Sequence, residues 1–156
     1  MHQNCVRVQQ ALQEAGLPSQ VVELPASTRT AAEAAAAVGT TVAQIAKSIV
    51  FVSGAQVILA IVSGANRVSA AKLMRFVGPE LRQPRGEEVK TLTNYPIGGI
   101  PPLGHAVPVR LFFDQDLLRF PEVWAAAGTP HAVFRCSPQA LVKAVTAEVC
   151  DLREES

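Results

Sequence analysis

The chain has 156 residues, of which 49% are hydrophobic and 17% are charged, and its formal net charge at pH 7 is +1. This length suits one core, so we expect residues 1–156 to form a single domain. The composition excludes a disordered chain, and the near-neutral charge does not favour binding to extended DNA. No apolar run reaches the roughly 20 residues that cross a bilayer, and no signal segment opens the chain. We therefore expect a cytoplasmic protein that does not enter membranes.

The cysteines do not form a recognisable framework. Cys5, Cys136 and Cys150 are widely separated and contain no CxxC pair, so reduced thiols are expected rather than disulfides or a zinc site. Neither a GxGxxG nor a Walker pattern is present. The sequence therefore predicts no metal ion and no organic cofactor.

The first half of the chain alternates helix and strand signals. Apolar spacing over residues 5–15, followed by Gly-Leu-Pro, predicts a first helix. Capping boxes at residues 30–33 and 41–44 predict two short helices, because each pairs a hydroxyl with a side chain three positions later. The β-rich runs 49–52 and 56–62, joined through Ser-Gly-Ala, predict a buried hairpin.

The second half continues this interleaving. Helices are predicted over residues 70–76, 87–92, 120–127 and 139–145, and strands over 109–113 and 131–136. Residues 152–156 are predicted to be a frayed tail. Strands and short helices are therefore interleaved throughout the chain.

One lysine stands out against its surroundings. Lys47 is the only charged residue between Glu33 and Arg67, and it lies in the apolar run Ile-Ala-Lys-Ser-Ile-Val-Phe. A second uncharged stretch, residues 91–109, contains the Gly- and Pro-rich segment 96–104. A lone cation facing such a loop would form an anion-binding or acyl-binding pocket. The alternative is a lysine at a helix end, whose tip reaches water.

The motifs resemble those of a known family. Residues 46–51, 63–69 and 98–102 are similar, in order and spacing, to the YbaK/ProX family of prolyl-tRNA synthetase associated editing domains. The likeness covers nearly the whole chain and ends with residues 128–134 and 137–141. It implies a single α+β domain with a mixed, partly barrel-like sheet surrounded by short helices. It also implies hydrolysis of the ester in mischarged aminoacyl-tRNA.

The resemblance also assigns site residues. Lys47 matches the family's lysine, and Gly98 with Pro102 matches its GxxxP loop. The expected catalytic set is Lys47, Gly98, Gly99, Ile100 and Pro102, and the expected substrate-binding set is Ile45, Ser48, His131 and Arg67. The glycine-rich loop would aim preorganised amides at the oxyanion, and Lys47 would hold the terminal phosphate or orient the ester. Ser48 occupies a position at which family members differ, so the preferred amino acid is left open.

Three functions follow as hypotheses. The first is a trans-acting deacylase of mischarged tRNA, most simply tRNA(Pro), with the acceptor end of tRNA as partner and an aminoacyl-tRNA synthetase as a further candidate partner. The second is a non-catalytic module that binds the acceptor end or a synthetase. The third is a thiol hydrolase that pairs Cys136 or Cys150 with His131 or His105. Scattered cations such as Lys72 and Arg75 are secondary candidates for tRNA contact, with a solvated surface as the alternative.

Overall fold

Helices, most of them with a side-chain cap, frame the structure, a computed structural model that describes residues 1–155. The helices are α1 (Gln3–Glu14), α2 (Ala31–Val38), α3 (Ala70–Val77), α4 (Gly86–Thr93) and α5 (Pro138–Val145). The hydroxyls of Thr30, Ser69 and Ser137 accept hydrogen bonds from main-chain N–H groups three residues later, as their sequences predict. The second capping box behaves differently, because residues 42–44 form only a 3₁₀ turn.

The strands form one mixed sheet. They are β1 (Val22–Glu23), β2 (Ile45–Ser53), β3 (Gln56–Ser63), β4 (Leu81–Arg82), β5 (Arg110–Asp114), β6 (Val123–Ala126), β7 (Ala132–Cys136) and β8 (Glu148–Cys150). Their order is β1-β7-β6-β2-β3-β5-β8, and β4 pairs with β2 beside this path. Within residues 1–155 the sheet therefore stays open rather than closing into a barrel. The predicted mixed α+β fold is confirmed.

The β2–β3 hairpin is the centre of the sheet. It pairs antiparallel over its whole length, with Lys47 opposite Val62 and Ser53 opposite Gln56. The main core lies on one face, where Ala46 and Val50 pack with residues of α1, β6 and β7. A smaller cluster on the other face joins Ile45 to α2 and to Trp124.

The helix predicted over residues 120–127 is wrong, because residues 123–126 form strand β6. Two long-range pairings decide this: β6 runs parallel to β2, with Ile45 opposite Trp124, and antiparallel to β7. The side chains of β6 alternate between buried and half-buried, which is the period of a strand. Ala125 and Ala126 belong to this strand, which lies between β2 and β7 in the sheet.

The frayed tail predicted over residues 152–156 is also wrong for residues 152–155. Leu152 is fully buried, and its N–H donates to Asp114 Oδ1 at 3.2 Å. The preceding residues form β8, which extends the sheet beyond β5. Position 156 lies outside the described residues.

Among residues 1–155, no helix has the length and apolar character needed to cross a membrane.

Candidate functional site

A cavity of about 250 Å³ opens beside the β2 strand. Its walls come from the segment before α2, from β2, from the residues between β4 and α4, from the glycine-rich loop and from β6. Its lining residues include Thr28, Arg29, Ala34, Ile45, Lys47, Ser48, Val50, Pro84, Val89, Gly98, Ile100, Trp124 and Val133. Most of these side chains are apolar, so the few polar groups in the wall are the ones able to orient a ligand.

The cavity exists because one edge of β2 is only partly paired. On the edge away from β3, strand β6 pairs with residues 45–46 and β4 pairs with residues 52–53. Residues 47–51 have no strand partner on that side among residues 1–155, and we call this stretch the open edge of β2. All residues from Ile45 to Val50 line the cavity.

The register shows which main-chain groups face the cavity. The Ile45 carbonyl accepts from Gly64 N–H at 2.7 Å, on the β3 side. The main-chain N–H and C=O groups of successive residues in a strand point alternately to its two edges, so those of Lys47 and Ile49 also bond toward β3. Ser48 and Val50 therefore direct their N–H and C=O groups away from β3, into the open edge.

Lys47 lies in the third position of β2 and not at a helix end. Burial, and secondarily the charge of Arg67, hold the pKa of its ammonium below the ordinary value. No carboxylate of residues 1–155 forms an ion pair with it. A half-buried cation without a counter-ion favours binding of an anionic group.

Two hydroxyls in the cavity wall lack partners. Thr28 Oγ1 and Ser48 Oγ are buried and make no hydrogen bond within residues 1–155. Thr28 is only 4% exposed. Buried polar groups are normally paired, so both are candidates to bond a ligand after rotation about χ1.

The glycine-rich loop is packed main chain against main chain. Gly98 has φ +88°, and a Cβ atom there would lie 2.6 Å from Arg29 Cγ and 3.0 Å from Arg29 Cα. A Cβ on Gly99 would lie 2.8 Å from Thr129 Cα. The two glycines therefore let the loop fit between the segment before α2 and the β6–β7 turn.

The expected loop residues divide into two groups. Gly98 and Ile100 line the cavity, whereas Gly99 and Pro102 do not. The Gly99 N–H already donates to the Pro96 carbonyl at 2.9 Å, and its own carbonyl accepts from Gly128 N–H at 2.8 Å. The expectation that Gly99 offers a free amide to an oxyanion is therefore wrong for this conformation.

The substrate-binding set is also split. Ile45 and Ser48 line the cavity together with Lys47, while His131 and Arg67 lie outside it. His131 is exposed, and its Nδ1 lies 3.1 Å from the Ala26 carbonyl oxygen, next to the segment that leads to Thr28. Arg67 is exposed, and its positive charge contributes, after burial, to the lowered pKa of Lys47.

Lys72, a secondary candidate for contact with tRNA, already forms ion pairs. Its ammonium lies 2.7 Å from Asp151 and 2.9 Å from Glu155.

The thiols are poorly suited to catalysis. Burial raises the pKa of Cys136 to about 12 and that of Cys150 to about 11, so both remain protonated near neutral pH. Neither forms a hydrogen bond with a histidine among residues 1–155, and His105 Nε2 lies 2.7 Å from the Pro101 carbonyl oxygen. These contacts argue against the thiol hydrolase hypothesis.

Several cavity residues were missed at the sequence level. Thr28, Arg29, Trp124 and Val133 reach the cavity through long-range pairing of the segments that carry them. For Thr28 and Arg29, only the capping box at Thr30 indicated that the segment is ordered. Among residues 1–155, no group of three His, Cys, Asp or Glu side chains is placed to hold a metal ion.

Comparison with known proteins identifies the family. The model of the aminoacyl-tRNA editing domain matches residues 25–144, which is more than half of the chain. The chain therefore belongs to the aminoacyl-tRNA editing domain family, and its resemblance to the YbaK/ProX family is confirmed.

Individual relatives cover most of the chain. A crystal structure described as a candidate trans-editing enzyme for prolyl tRNA synthetase is 51% identical, covers 99% of both chains and superposes with a TM-score of 0.93. The hypothetical protein APE2540 is 32% identical, with a TM-score of 0.89 over 95% of this chain and 99% of its own. The uncharacterized protein YwhH of Bacillus subtilis (strain 168) is 32% identical over 78% of each chain.

Proposed function

We propose that this protein is a trans-acting deacylase that hydrolyses the ester of mischarged tRNA, with tRNA(Pro) as the carrier. The observation that carries the proposal is the cavity at the open edge of β2, which is lined by Gly98, by Ile100 and by Lys47, a cation with no carboxylate partner among residues 1–155. Family membership supports aminoacyl-tRNA as the substrate class. The solved relative described as a candidate trans-editing enzyme for prolyl tRNA synthetase supports the choice of tRNA(Pro).

Lys47 would bind the anionic part of the substrate. Its partial burial strengthens attraction to a phosphate or to charge developing on the ester carbonyl, because the local dielectric is lower than that of water. The lysine ammonium is compact and carries three donors, which suits a tetrahedral phosphate as well as a single oxygen.

Main-chain amides would supply the oxyanion donors. Gly98 and Ile100 line the cavity, and neither N–H has an acceptor within residues 1–155. Ser48 and Val50 offer further N–H groups from the open edge of β2. Loss of one such donor typically slows acyl transfer by about 10²–10³.

The nucleophile would be water, assisted by the free hydroxyl of the terminal ribose. Water adds its oxygen to the ester carbonyl, the bond to the ribose oxygen breaks, and that oxygen takes a proton. The products are the free amino acid and tRNA with both terminal hydroxyls. An ester is activated enough that no Ser–His or Cys–His pair is required for this step.

The apolar walls would select the amino acid by size. Ala34, Ile45 and Ile100 surround the space beside Lys47. Such walls discriminate by about 1–3 kcal/mol per methylene, so they act by excluding side chains larger than the box, including proline.

A panel of mischarged tRNAs tests the proposal. The wild type should release amino acid from at least one mischarged tRNA(Pro), and Lys47→Met, which keeps the length of the side chain without its charge, should lower kcat/KM by about 10²-fold or more. Equal release by wild type and Lys47→Met would contradict the proposed role of the ammonium. Binding of tRNA without release of any amino acid would instead identify a non-catalytic module.

A further inference from the structure

The end of the chain is tied to the loop that follows β3. We call residues 151–155 the C-terminal strap. Ser69 N–H donates to the Leu152 carbonyl at 2.7 Å, and Glu154 N–H donates to the Arg67 carbonyl at 2.8 Å. Between these bonds, Val68 forms an antiparallel bridge with Arg153. The strap therefore fixes the main chain from the Arg67 carbonyl to Ser69.

Ionic contacts and burial hold the strap in place. Lys72 Nζ donates to Asp151 Oδ2 at 2.7 Å, to Glu155 Oε1 at 2.9 Å and to the Arg153 carbonyl at 2.7 Å. The fully buried Leu152 anchors the strap in a further apolar cluster, which also contains Leu73 of α3 and Phe112 of β5. Polar contacts and apolar packing thus act together on one short segment.

The same loop is held from its other side. Asn66 Nδ2 donates to Asp116 Oδ2 at 2.9 Å and to Asp114 Oδ2 at 3.3 Å. Asp114 is fully buried and also accepts from Leu152 N–H. The loop between β3 and α3 therefore has little freedom to move Arg67.

This loop begins close to the cavity. Val62 lies opposite Lys47 in the β2–β3 ladder, and β3 ends at the next residue. The charge of Arg67 is near enough to lower the pKa of Lys47. Arg67 itself forms no ion pair within residues 1–155, so its guanidinium is free to meet a ligand.

We propose that the C-terminal strap is a positioning element that holds the loop carrying Arg67 at the Lys47 end of the β2–β3 hairpin, so that the two cations together engage the phosphodiester chain at the 3′ end of tRNA. The inference rests on the proposed function for the identity of this polyanion. The strap lies beyond residues 25–144, which the family model matches. It therefore adds a contribution to tRNA binding from outside the family's matched region.

A double-mutant cycle tests the coupling. The variants are Arg67→Gln, a chain ended after Leu152, and the combination of both. Ending the chain there keeps the buried leucine and removes the bonds from Arg153 and Glu154. Arg110→Gln is the matched control, because it breaks the ion pair with Glu148 of β8 and leaves the strap intact. The measurements are the Kd of uncharged tRNA(Pro) by fluorescence anisotropy over a range of salt, kcat and KM for deacylation, and Tm.

Each single variant should raise the Kd about fivefold, the size of one exposed charge contact. Each should also reduce the slope of log Kd against log salt by about 0.7, as expected for one lost contact to a single strand. The combined variant should bind no more weakly than Arg67→Gln alone. Lys72→Met should raise the Kd as much as the truncation does, and Lys72→Arg should bind tRNA as tightly as the wild type.

Other results would overturn the inference. If the truncation lowers Tm but leaves Kd and the salt slope unchanged, the strap has only a structural role. If the effects of Arg67→Gln and of the truncation on Kd add in the combined variant, the strap does not act through Arg67. Wild-type protein that binds no tRNA would also refute it. Wild-type protein that binds tRNA but hydrolyses no ester would refute the proposed function alone, because the coupling is then decided by binding.

Discussion

Replacing Gly99 by alanine should destabilise the protein through a steric clash alone. The added Cβ would lie 2.8 Å from Thr129 Cα and 2.9 Å from Thr129 N and C, and its φ requires no glycine. Main-chain atoms cannot rotate aside as a flexible side chain would, so we expect the cost of overpacking, about 1–3 kcal/mol. For a domain of this size, Tm should fall by about 2–12 °C.

Two other glycines separate clash from backbone strain. Gly98→Ala combines φ +88° with contacts of 2.6 and 3.0 Å to Arg29, so left-handed strain of about 1–2 kcal/mol adds to the clash. Gly39→Ala is the matched control, because φ is +75° there and no atom lies within 4 Å of the new Cβ. It should show the strain alone.

Urea unfolding followed by circular dichroism measures the three costs, with an unchanged m-value as the check on two-state behaviour. Gly98→Ala should be the most destabilised of the three. Deacylation should fall in the Gly98 and Gly99 variants, because the loop that forms part of the cavity wall must shift to relieve the clash. It should persist in Gly39→Ala. A Gly99→Ala protein as stable as the wild type would refute the close approach to Thr129.

Three further outcomes are expected. If protonated Lys47 is required, kcat/KM should decline as pH rises through the lowered pKa of this lysine, once spontaneous ester hydrolysis has been subtracted. Arg67→Gln removes a positive charge that lowers this pKa, so the decline should move to higher pH. A decline at the same pH in both proteins would exclude the proposed charge coupling. Ser48→Ala and Thr28→Val should leave the free energy of unfolding unchanged or raise it by up to about 1–3 kcal/mol, because each removes a buried hydroxyl without a partner among residues 1–155. A lower free energy of unfolding in chemical denaturation would show that the hydroxyls are bonded in the folded state. Leu152→Ala should lower the free energy of unfolding by about 2–5 kcal/mol, and an unchanged unfolding midpoint would favour a frayed tail after all.

Local chemistry made the helices predictable. The caps at Thr30, Ser69 and Ser137 act within one turn of their own helices, so the sequence alone contains the information. The hairpin was predictable for the same reason, since its strands are joined through a short turn.

Long-range pairing made other elements unpredictable. Residues 123–126 contain alanines that suit a helix, and only their neighbours β2 and β7 make them a strand. The C-terminal residues carry charges typical of a tail, yet Lys72 and Asp114 give them specific partners. Such pairing joins residues far apart in sequence, which periodicity does not reveal.

The cavity shows the same division. Lys47, Ser48, Gly98 and Ile100 were predicted from motifs and do line one space. The motifs did not distinguish the cavity-lining Gly98 from Gly99, whose amide is already bonded. That difference depends on the conformation of a single turn.

The open edge of β2 also bears on solubility. Unpaired strand edges normally invite another polypeptide to add on and begin aggregation. Here the main-chain groups without a strand partner within residues 1–155 lie between the parts of β2 that pair with β6 and with β4, and Gly98 lines the same cavity. Strands β4 and β6 limit the unpaired stretch to residues 47–51 within residues 1–155, and a short edge is one way in which proteins prevent such addition. The fold thus keeps polar main chain free for a ligand without offering it to neighbouring molecules.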